Sequence, residues 1–317
     1  MKIYKSTLLT LALVLLSSFV SFGQQWISIS SENPQSIQTR LVSSSEDEIT
    51  VQLQVPGFYA VEVNTPQGRA SVISVPKSVN TLQVGDPNLP MVAIPAIIGD
   101  DAQMNVRVQS SEYTDFQIEV APSKGDFPRS VDPATVPYTY GEAYSHDAFF
   151  PEINAGLYEP YILRDFRGQN IIAYPFAYNP VTKTLRVYHE MTIVMYKEGQ
   201  GGVNVVENRR SNVVKIDPDF KNIYKNHFIN FQQALTRYTP VDEEGEMLII
   251  CHDAFMEAMT EFVNWKKTRG IQTTMVPMSS VGSVANDIQG FVLDQYNSNP
   301  NLAYVLLVGD DAQIPGT

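Results

Sequence analysis

The fold of the first two thirds of the chain is decided by stretches such as Ile49-Thr50-Val51-Gln52-Leu53-Gln54-Val55, which is followed at once by Pro56-Gly57. Apolar and polar residues alternate without a break, and this period of two is typical of a β-strand with one face buried. The proline and glycine favour a turn immediately afterwards. We therefore predict a half-buried strand over residues 49–55.

Short apolar runs of the same kind recur on both sides of this strand. They are separated by Pro, Gly, Asn and Asp, and they lie at Val72–Val75, Met91–Ile98, Met104–Val108 and Phe116–Val120. Short strands at regular spacing, punctuated by turn residues, are typical of a β-sandwich or a barrel-like domain. The sequence therefore predicts a β-rich first domain.

The clearest predicted hairpin runs from Ile171 to Met195, with its turn at Asn179–Lys183. Alternate residues of its second strand share one apolar face: Leu185, Val187, Met191, Ile193 and Met195. His189 falls on the same face. A lone histidine in an apolar row is more often a hydrogen-bonded core residue than a ligand, and we interpret His189 in that way.

The pattern changes after Gly199-Gln200-Gly201-Gly202. Apolar residues at helical spacing predict one amphipathic helix over Asp217–Leu235, with a start signal at Asp217-Pro218. Its apolar stripe is expected to pack against a neighbouring domain.

From Met247 the sequence alternates strands and helices. Predicted strands at Met247–Cys251, Thr273–Met278 and Tyr304–Val308 are separated by predicted helices at Ala254–Lys267 and Val284–Tyr296. This βαβαβ order predicts a parallel α/β sheet with right-handed crossovers. Because three strands and two helices would leave sheet edges uncovered, we expect this second domain to be truncated.

The amino terminus has the features of a secretory signal peptide. Lys2 and Lys5 precede an apolar run from Leu8 to Val20, and small residues lead to an exit at Gly23-Gln24. The apolar run is too short to span a bilayer comfortably. We therefore predict removal of residues 1–23 and an exported protein, extracellular or at the cell surface, without a transmembrane anchor.

Composition excludes several other classes. Of the 317 residues 44% are hydrophobic and the net charge is -12, which argues against disorder and against nucleic acid as a partner. The single cysteine, Cys251, excludes an intramolecular disulfide and a CxxC metal site. The four histidines lack ligand spacing.

Four blocks of sequence are distinctive: Arg237–Glu243 followed by Met247–Ile250, then Phe262–Gly270, Tyr304–Asp310 and, upstream, Tyr178–Tyr188. The first resembles the junction at which Arg-specific gingipains begin their mature peptidase domain, and the next two strengthen that resemblance. Tyr178–Tyr188 resembles the gingipain propeptide. Together they cover most of the chain after about residue 120. The chain is identified as the front part of a gingipain-like cysteine peptidase precursor.

The resemblance implies a secreted, caspase-like endopeptidase that cleaves proteins or peptides after basic residues, with arginine favoured. It divides the chain into a signal peptide (1–23), a β-rich propeptide (24–237) and the first part of the peptidase domain (238–317), with maturation at Arg237-Tyr238. The propeptide would bind and inhibit its own peptidase domain. The catalytic histidine and cysteine belong to motifs beyond Thr317, so the chain itself is expected to be inactive.

Cys251 and His252 are not expected to form a catalytic pair. Neighbouring residues at the end of a strand project to opposite faces, which prevents a hydrogen-bonded dyad. Free cysteine commonly behaves as a small apolar residue. We therefore predict that Cys251 is buried and structural.

Two further sites leave alternatives open. Asp310 and Asp311 follow a buried strand and, from the residues alone, form a solvated loop more readily than a cation site; the resemblance implies that Asp310 contributes to a calcium site. Arg129 lies among turn residues in Ser123–Ser130. It is either an ordinary surface arginine or, in a propeptide, the residue that blocks an arginine-selecting peptidase.

A rival hypothesis is a secreted β-sandwich adhesion or binding module without catalytic activity, with the α/β piece as an accessory domain. A glycine-flanked histidine followed by a cysteine downstream would favour the enzyme.

Overall fold

The computed structural model describes residues 25–206, 213–216, 218–237, 239–242, 245–299 and 301–316. The chain divides into two compact units, Met1–Glu207 and Asn208–Thr317. This division lies ahead of the domain boundary predicted at 237/238, because the helical segment before Arg237 groups with the second unit.

Apart from two 3-10 helices, the regular secondary structure in the described part of the first unit consists of β-strands. In chain order they are β1 (Gln25–Ser28), β2 (Gln38–Ser44), β3 (Glu48–Gln54), β4 (Gly57–Thr65), β5 (Gly68–Ser74), β6 (Val79–Asn80), β7 (Pro90–Ile97), β8 (Ala102–Gln117), β9 (Ala155–Leu157), β10 (Tyr161–Leu163), β11 (Phe166–Ala173), β12 (Phe176–Asn179) and β13 (Thr184–Gln200). They form three antiparallel sheets: β1-β4-β5; β10-β11-β7-β6, with β9 also on β11; and β12-β13-β3-β2, with β8 also on β13. The prediction of a β-rich domain is confirmed.

The core of the first unit lies where these sheets face one another. Val51 and Leu53 of β3 are fully buried while Gln54 is exposed, as the alternation over residues 49–55 predicts. Phe58 of β4 contacts the rings of Phe116 and Phe176 edge-on, at 5.2 and 5.8 Å between centroids. These contacts join the three-stranded sheet to the β13 sheet.

The turn at Asn179–Lys183 forms as predicted. Asn179 is paired with Thr184, and its side-chain oxygen accepts hydrogen bonds from the backbone N–H groups of Val181 and Thr182 at 3.0 and 3.2 Å. The hairpin begins at Phe176, however, and Ile171 belongs to β11 in another sheet. Pro175 separates the two strands, because proline has no N–H to donate to a ladder.

Two other sequence predictions for this unit are corrected by the structure. The run at 104–108 and the first two residues of the run at 116–120 belong to one long strand, β8, which pairs with β13 along almost its whole length, and residues 118–120 lie beyond its end. His189 is half-buried rather than a core residue. A bulge between Tyr188 and Glu190 interrupts the alternation there, and a simple period of two cannot reveal a bulge.

The second unit contains the predicted α/β order. Its elements are β14 (Val213–Ile216), α1 (Pro218–His227), α2 (Phe231–Ala234), β15 (Thr239–Asp242), β16 (Glu246–Cys251), α3 (Thr260–Thr268), β17 (Gln272–Pro277), α4 (Ala285–Ser298) and β18 (Leu302–Val308). The last three strands form a parallel sheet in the order β17-β16-β18, and β14 and β15 form a separate parallel pair. The prediction of a parallel sheet with helical crossovers is confirmed.

The central strand β16 explains the continuous apolar run in the sequence. Leu248 and Ile250 pack with Met278 and Ile288 on one face of the sheet, while Ile249, among others, packs with Val263 on the opposite face. A strand covered on both faces needs apolar residues at every position.

The single helix predicted over 217–235 is interrupted. Its described part forms α1, then a turn, then α2 and a short 3-10 helix at Leu235–Arg237. Asn230 occupies the position before α2, which suits a residue whose side chain competes with helical backbone hydrogen bonds. The predicted start residue, Asp217, lies outside the described residues.

Candidate functional site

Arg129 lies at the tip of a loop between β8 and β9. The backbone N–H of Val131 donates to the carbonyl of Pro128 at 2.9 Å, so that Arg129 and Ser130 occupy the two central positions of a turn. Proline presets the backbone on the amino-terminal side of this turn. Arg129 is exposed to solvent.

The base of this loop is fixed by Ser123, which is buried. Its hydroxyl donates to the carbonyl of Thr81 at 3.0 Å, its N–H donates to the carbonyl of Asp86 at 2.7 Å, and its carbonyl accepts from the N–H of Gly85 at 3.0 Å. Gly85 has a φ of 88° and faces Gly141 so closely that a Cβ atom would lie 2.9 Å from the Gly141 nitrogen. The start of the loop is therefore fixed to the rest of the first unit by hydrogen bonds and close backbone packing.

Contacts within the loop hold its two halves together. The ammonium of Lys124 donates to the carbonyl of Pro133 at 2.8 Å and lies 4.3 Å from the centre of the Tyr138 ring. Asp132 accepts a hydrogen bond from the N–H of Ala134 at 2.9 Å and so caps a 3-10 helix. Arg129 is thus presented by an ordered segment.

The other arginines of the first unit are placed differently. Its described residues contain seven arginines, of which five lie within strands: Arg40, Arg69, Arg107, Arg167 and Arg186. Arg164 lies in the two-residue connection between β10 and β11. These five arginines are held in the extended backbone of a sheet, Arg40, Arg69 and Arg107 in the edge strands β2, β5 and β8 and the others in inner strands. Of the seven arginines in the described part of the first unit, Arg129 is the one that lies on a loop outside the sheets.

Arg186 and Arg167 illustrate how strand arginines are engaged. Arg186 forms a bidentate ion pair with Asp115 at 2.8 and 2.9 Å, and this contact lowers the pKa of the Asp115 carboxyl. Arg167 is 1% exposed and donates to the carbonyls of Gly99, Ala102 and Val203 at 3.0, 2.7 and 2.8 Å. Both guanidinium groups are used within the fold.

Cys251 ends β16 and is fully buried, as predicted. Its thiol donates to the carbonyl of His252 at 3.4 Å, and the Nδ1 atom of His252 accepts from the N–H of Ala254 at 3.4 Å. Burial, with a smaller contribution from Asp253, raises the pKa of the Cys251 thiol. A nucleophilic cysteine needs the opposite shift.

Cys251 should therefore label slowly. We expect iodoacetamide to modify the folded chain at neutral pH at least tenfold more slowly than the chain unfolded in urea, because burial restricts access and disfavours the thiolate. The raised pKa predicts that the rate climbs only at a pH above the usual thiol range. Intact-mass spectrometry against time measures this, and equal rates in the folded and unfolded chain would contradict it.

Asp310 follows β18 and closes its own turn. Its Oδ1 atom accepts hydrogen bonds from the N–H groups of Ala312 and Gln313 at 3.0 and 3.1 Å, and Asp311 accepts one from Gly316 at 3.3 Å. Within the described ranges no group of three or more His, Cys, Asp or Glu side chains converges on a possible metal site. Asp310 and Asp311 could supply oxygen ligands, the type that calcium takes, as part of a larger set.

One contact at this end of the sheet was not anticipated from the sequence. Ser279, after β17, donates its hydroxyl to Asp253, after β16, at 2.5 Å, and its N–H donates to the same carboxylate at 3.0 Å. These bonds lower the pKa of Asp253. The sequence pattern contained one indication of this contact: both residues follow adjacent parallel strands, whose carboxyl ends meet at one edge of the sheet.

The predicted processing residues lie mostly outside the described part of the chain. Gly23, Gln24 and Tyr238 are outside it, whereas Arg237 ends the 3-10 helix at Leu235–Arg237. The strand β15 begins at Thr239. Among the described residues, none of the helices has the length and apolar character needed to cross a membrane.

Comparison with family models identifies two consecutive regions of the sequence. Residues 29–235 match the C25 propeptide model, and residues 241–316 match the model of peptidase family C25. The chain belongs to the C25 family of cysteine peptidases, the gingipains. It carries a C25 propeptide followed by the start of a C25 peptidase domain, and the adhesion-module alternative is not supported.

Individual relatives agree with this assignment. The chain is 38% identical to Gingipain R1 of Porphyromonas gingivalis over 283 residues, which are 87% of this chain and 28% of that protein. It is 37% identical to Gingipain R2 of the same species over 284 residues, or 88% of this chain and 38% of that protein. The C25 chain therefore spans well under half the length of these relatives.

A solved structure of the Porphyromonas gingivalis RgpB pro- and mature domains in complex resembles this chain over part of its length. The TM-score is 0.57 at 34% identity, and the match covers 62% of this chain and 97% of that one. In that protein the two domains form a complex.

Proposed function

We propose that the chain is the amino-terminal part of a secreted cysteine endopeptidase precursor that cleaves proteins after arginine. The first unit keeps the peptidase latent by placing Arg129 in the pocket that recognises the substrate side chain. Cleavage between Arg237 and Tyr238 then starts maturation. The observation that carries this proposal is that Arg129 is exposed on an anchored loop. The other arginines in the described part of the first unit lie in strands or in a two-residue turn.

Charge supports the proposed contact. An arginine-selecting pocket offers a carboxylate, to which a guanidinium donates two parallel, charge-assisted hydrogen bonds. The anchors at Ser123 and Lys124 reduce the conformational entropy that the loop would lose on binding. A preorganised arginine resembles a substrate side chain, yet its turn keeps the following peptide bond from adopting the extended geometry of a substrate.

The second unit supports a larger peptidase domain. Val305 and Leu307 on β18 are 44% and 48% exposed, and Leu293 and Tyr296 on α4 are 55% and 56% exposed. Apolar groups clustered on one sheet edge and the neighbouring helix are typical of a surface that further structure covers. In the complete enzyme the nucleophilic thiolate, its histidine base and the oxyanion hole would lie in that further structure, because Cys251 and His252 are excluded by their geometry.

Export and calcium complete the proposal. Lys2, Lys5 and the apolar run from Leu8 to Val20 support a signal peptide cleaved at Gly23-Gln24 and a place outside the cell or at its surface.

Asp310 would give one carboxylate to a calcium site whose remaining ligands come from elsewhere in the peptidase domain. Calcium titration monitored by the melting temperature of the complete enzyme, with Asp310→Asn as the comparison, tests that assignment.

Maturation at Arg237 gives a direct test of the proposal. When the mature peptidase is added to the precursor expressed from the complete gene, we expect a product that begins at Tyr238, identified by amino-terminal sequencing and intact mass. Arg237→Ala should slow this product at least a hundredfold, because a pocket built for a guanidinium is left with an unpaired carboxylate. Arg269→Ala, a surface arginine at the end of α3, is the matched control and should leave the product unchanged. If both variants give the product that begins at Tyr238 at equal rates, the peptidase does not recognise Arg237 when it cuts this bond.

A further inference from the structure

The segment 213–237, which we call the strap, consists of β14, α1, α2 and the 3-10 helix that ends at Arg237. We propose that the strap is a docked element of the peptidase unit and stays bound to it after the chain is cut at Arg237-Tyr238. Its docking is independent of the proposed function, whereas its retention after cleavage rests on that function. The propeptide would then consist of an inhibitory body and a separately held strap.

Sequence and structure divide the chain at different places. The C25 propeptide model extends to residue 235 and therefore includes almost all of the strap. The compact units, in contrast, divide at 207/208, which places the strap with the peptidase segment. Physical contacts rather than the position of a cleavage site decide which parts of a protein stay together when a peptide bond is cut.

The first contact is a strand pair that bridges the proposed cleavage site. In the parallel pair of β14 and β15, Val213 is partnered with Thr239 and Ile216 with Asp242. β14 precedes Arg237 and β15 follows Tyr238, so the two strands would belong to different chains after cleavage. Ile216, the last residue of β14, is 2% exposed, so this end of the strand is covered by other parts of the chain.

The second contact is made by aromatic residues of α1. Phe220 contacts the ring of Tyr304 in β18 at 6.5 Å between centroids, within the range of favourable aromatic pairs. Behind it the ring of Tyr224, which is fully buried, contacts Phe228 and Phe231 at 6.2 and 5.8 Å. The strap is thus held to the β17-β16-β18 sheet by the contact of Phe220 with Tyr304, and to β15 by its strand β14.

Cleavage changes the linkage of the strap and leaves its contacts in place. An intramolecular contact becomes a bimolecular one, and dissociation then breaks the pairing of β14 with β15 and the contact of Phe220 with Tyr304. The new amino terminus at Tyr238 would remain next to the strap. Full maturation therefore needs a second event, the release of the strap, in addition to release of the inhibitory body.

Hydrogen exchange of the uncut precursor tests the docking without any cleavage. We expect Phe220→Ala to speed amide exchange in β15 and β18 several-fold while leaving β13 of the first unit unchanged. Ile223→Ala, on the same helix but 46% exposed, is the matched control and should alter neither region. If Phe220→Ala unfolds the helix, Phe220→Leu replaces it in the test. Leucine preserves apolar volume, so exchange in β15 and β18 should then lie between the rates of the wild type and of Phe220→Ala. Faster exchange in β13 without a change in β18, or equal effects of Phe220→Ala and Ile223→Ala, would overturn the proposal.

The same measurement after cleavage tests retention. In the precursor cut at Arg237-Tyr238, the amides of Thr239, Val241 and Asp242 should exchange within about twofold of their rates in the uncut protein. Exchange at the rate of an unstructured peptide, with β13 still protected, would show that the strap leaves on cleavage. If the precursor is not cut at Arg237, the proposed maturation site fails, while the result for the uncut protein still decides whether the strap is docked.

Discussion

Replacing Arg129 with alanine should weaken inhibition of the mature peptidase by the free propeptide roughly 30-fold to several thousand-fold. The reason is that removing one partner of a buried, hydrogen-bonded charge contact costs about 2 to 5 kcal/mol. The measurement is the inhibition constant of residues 24–237, wild type and variant, against an arginyl peptide substrate. Most of the change should come from faster dissociation.

Two further variants separate side-chain recognition from general surface charge. Arg69→Ala removes an arginine whose side chain is 75% exposed and lies in β5, and it should change the inhibition constant less than twofold. Arg129→Lys keeps the charge but loses the planar fork of donors, and inhibition should fall between wild type and alanine. Equal inhibition constants for wild type and Arg129→Ala would exclude the loop from latency and leave the remaining propeptide surface as its source.

Replacing Arg167 with alanine should lower the free energy of unfolding of the first unit by about 3 to 5 kcal/mol. The guanidinium satisfies the carbonyls of Gly99, Ala102 and Val203 inside the fold. Without it the three carbonyls lose this donor, although Gly99 keeps the N–H of Ala102 at 3.2 Å, and a cavity remains. The variant is expected to be poorly soluble at physiological temperature.

Urea unfolding of the chain measures this effect. Trp265→Phe provides a background in which Trp26, packed on Tyr59 at 5.1 Å, reports on the first unit by fluorescence. Arg107→Ala is the matched control: its ion pair with Glu48 spans 3.5 Å between half-exposed side chains, so its loss should cost under about 1 kcal/mol. A similar small cost for Arg167→Ala would mean that water can replace the guanidinium at those carbonyls.

The parts of the fold that the sequence predicted are those in which local pattern and tertiary environment agree. Apolar runs at Met247–Cys251 and Tyr304–Val308, separated by helical segments, could only be buried as parallel strands, and the structure has them so. The turn after Asn179 was predictable because its side chain makes the hydrogen bonds that define the turn. Burial of Cys251 followed from its place on such a strand.

The remaining features depend on contacts between residues distant in sequence. Arg167 looks like any polar residue of a strand, and its burial depends on carbonyls supplied by Gly99, Ala102 and Val203. The link between Asp253 and Ser279 appears only when two parallel strands are brought side by side. Likewise, pairing of β14 with β15 joins short segments with weak strand signals. Periodicity describes one element at a time and carries no information about such partners.

Competition at the active site tests the central claim most directly. The mature peptidase is mixed with the wild-type propeptide and increasing amounts of a small inhibitor that carries an arginine side chain, and binding of the propeptide is followed by calorimetry. If Arg129 occupies the arginine pocket, the two ligands exclude each other, and the apparent dissociation constant of the propeptide rises in proportion to the inhibitor concentration. If the propeptide binds with the same affinity when the pocket is saturated, Arg129 does not enter the pocket and latency has another cause.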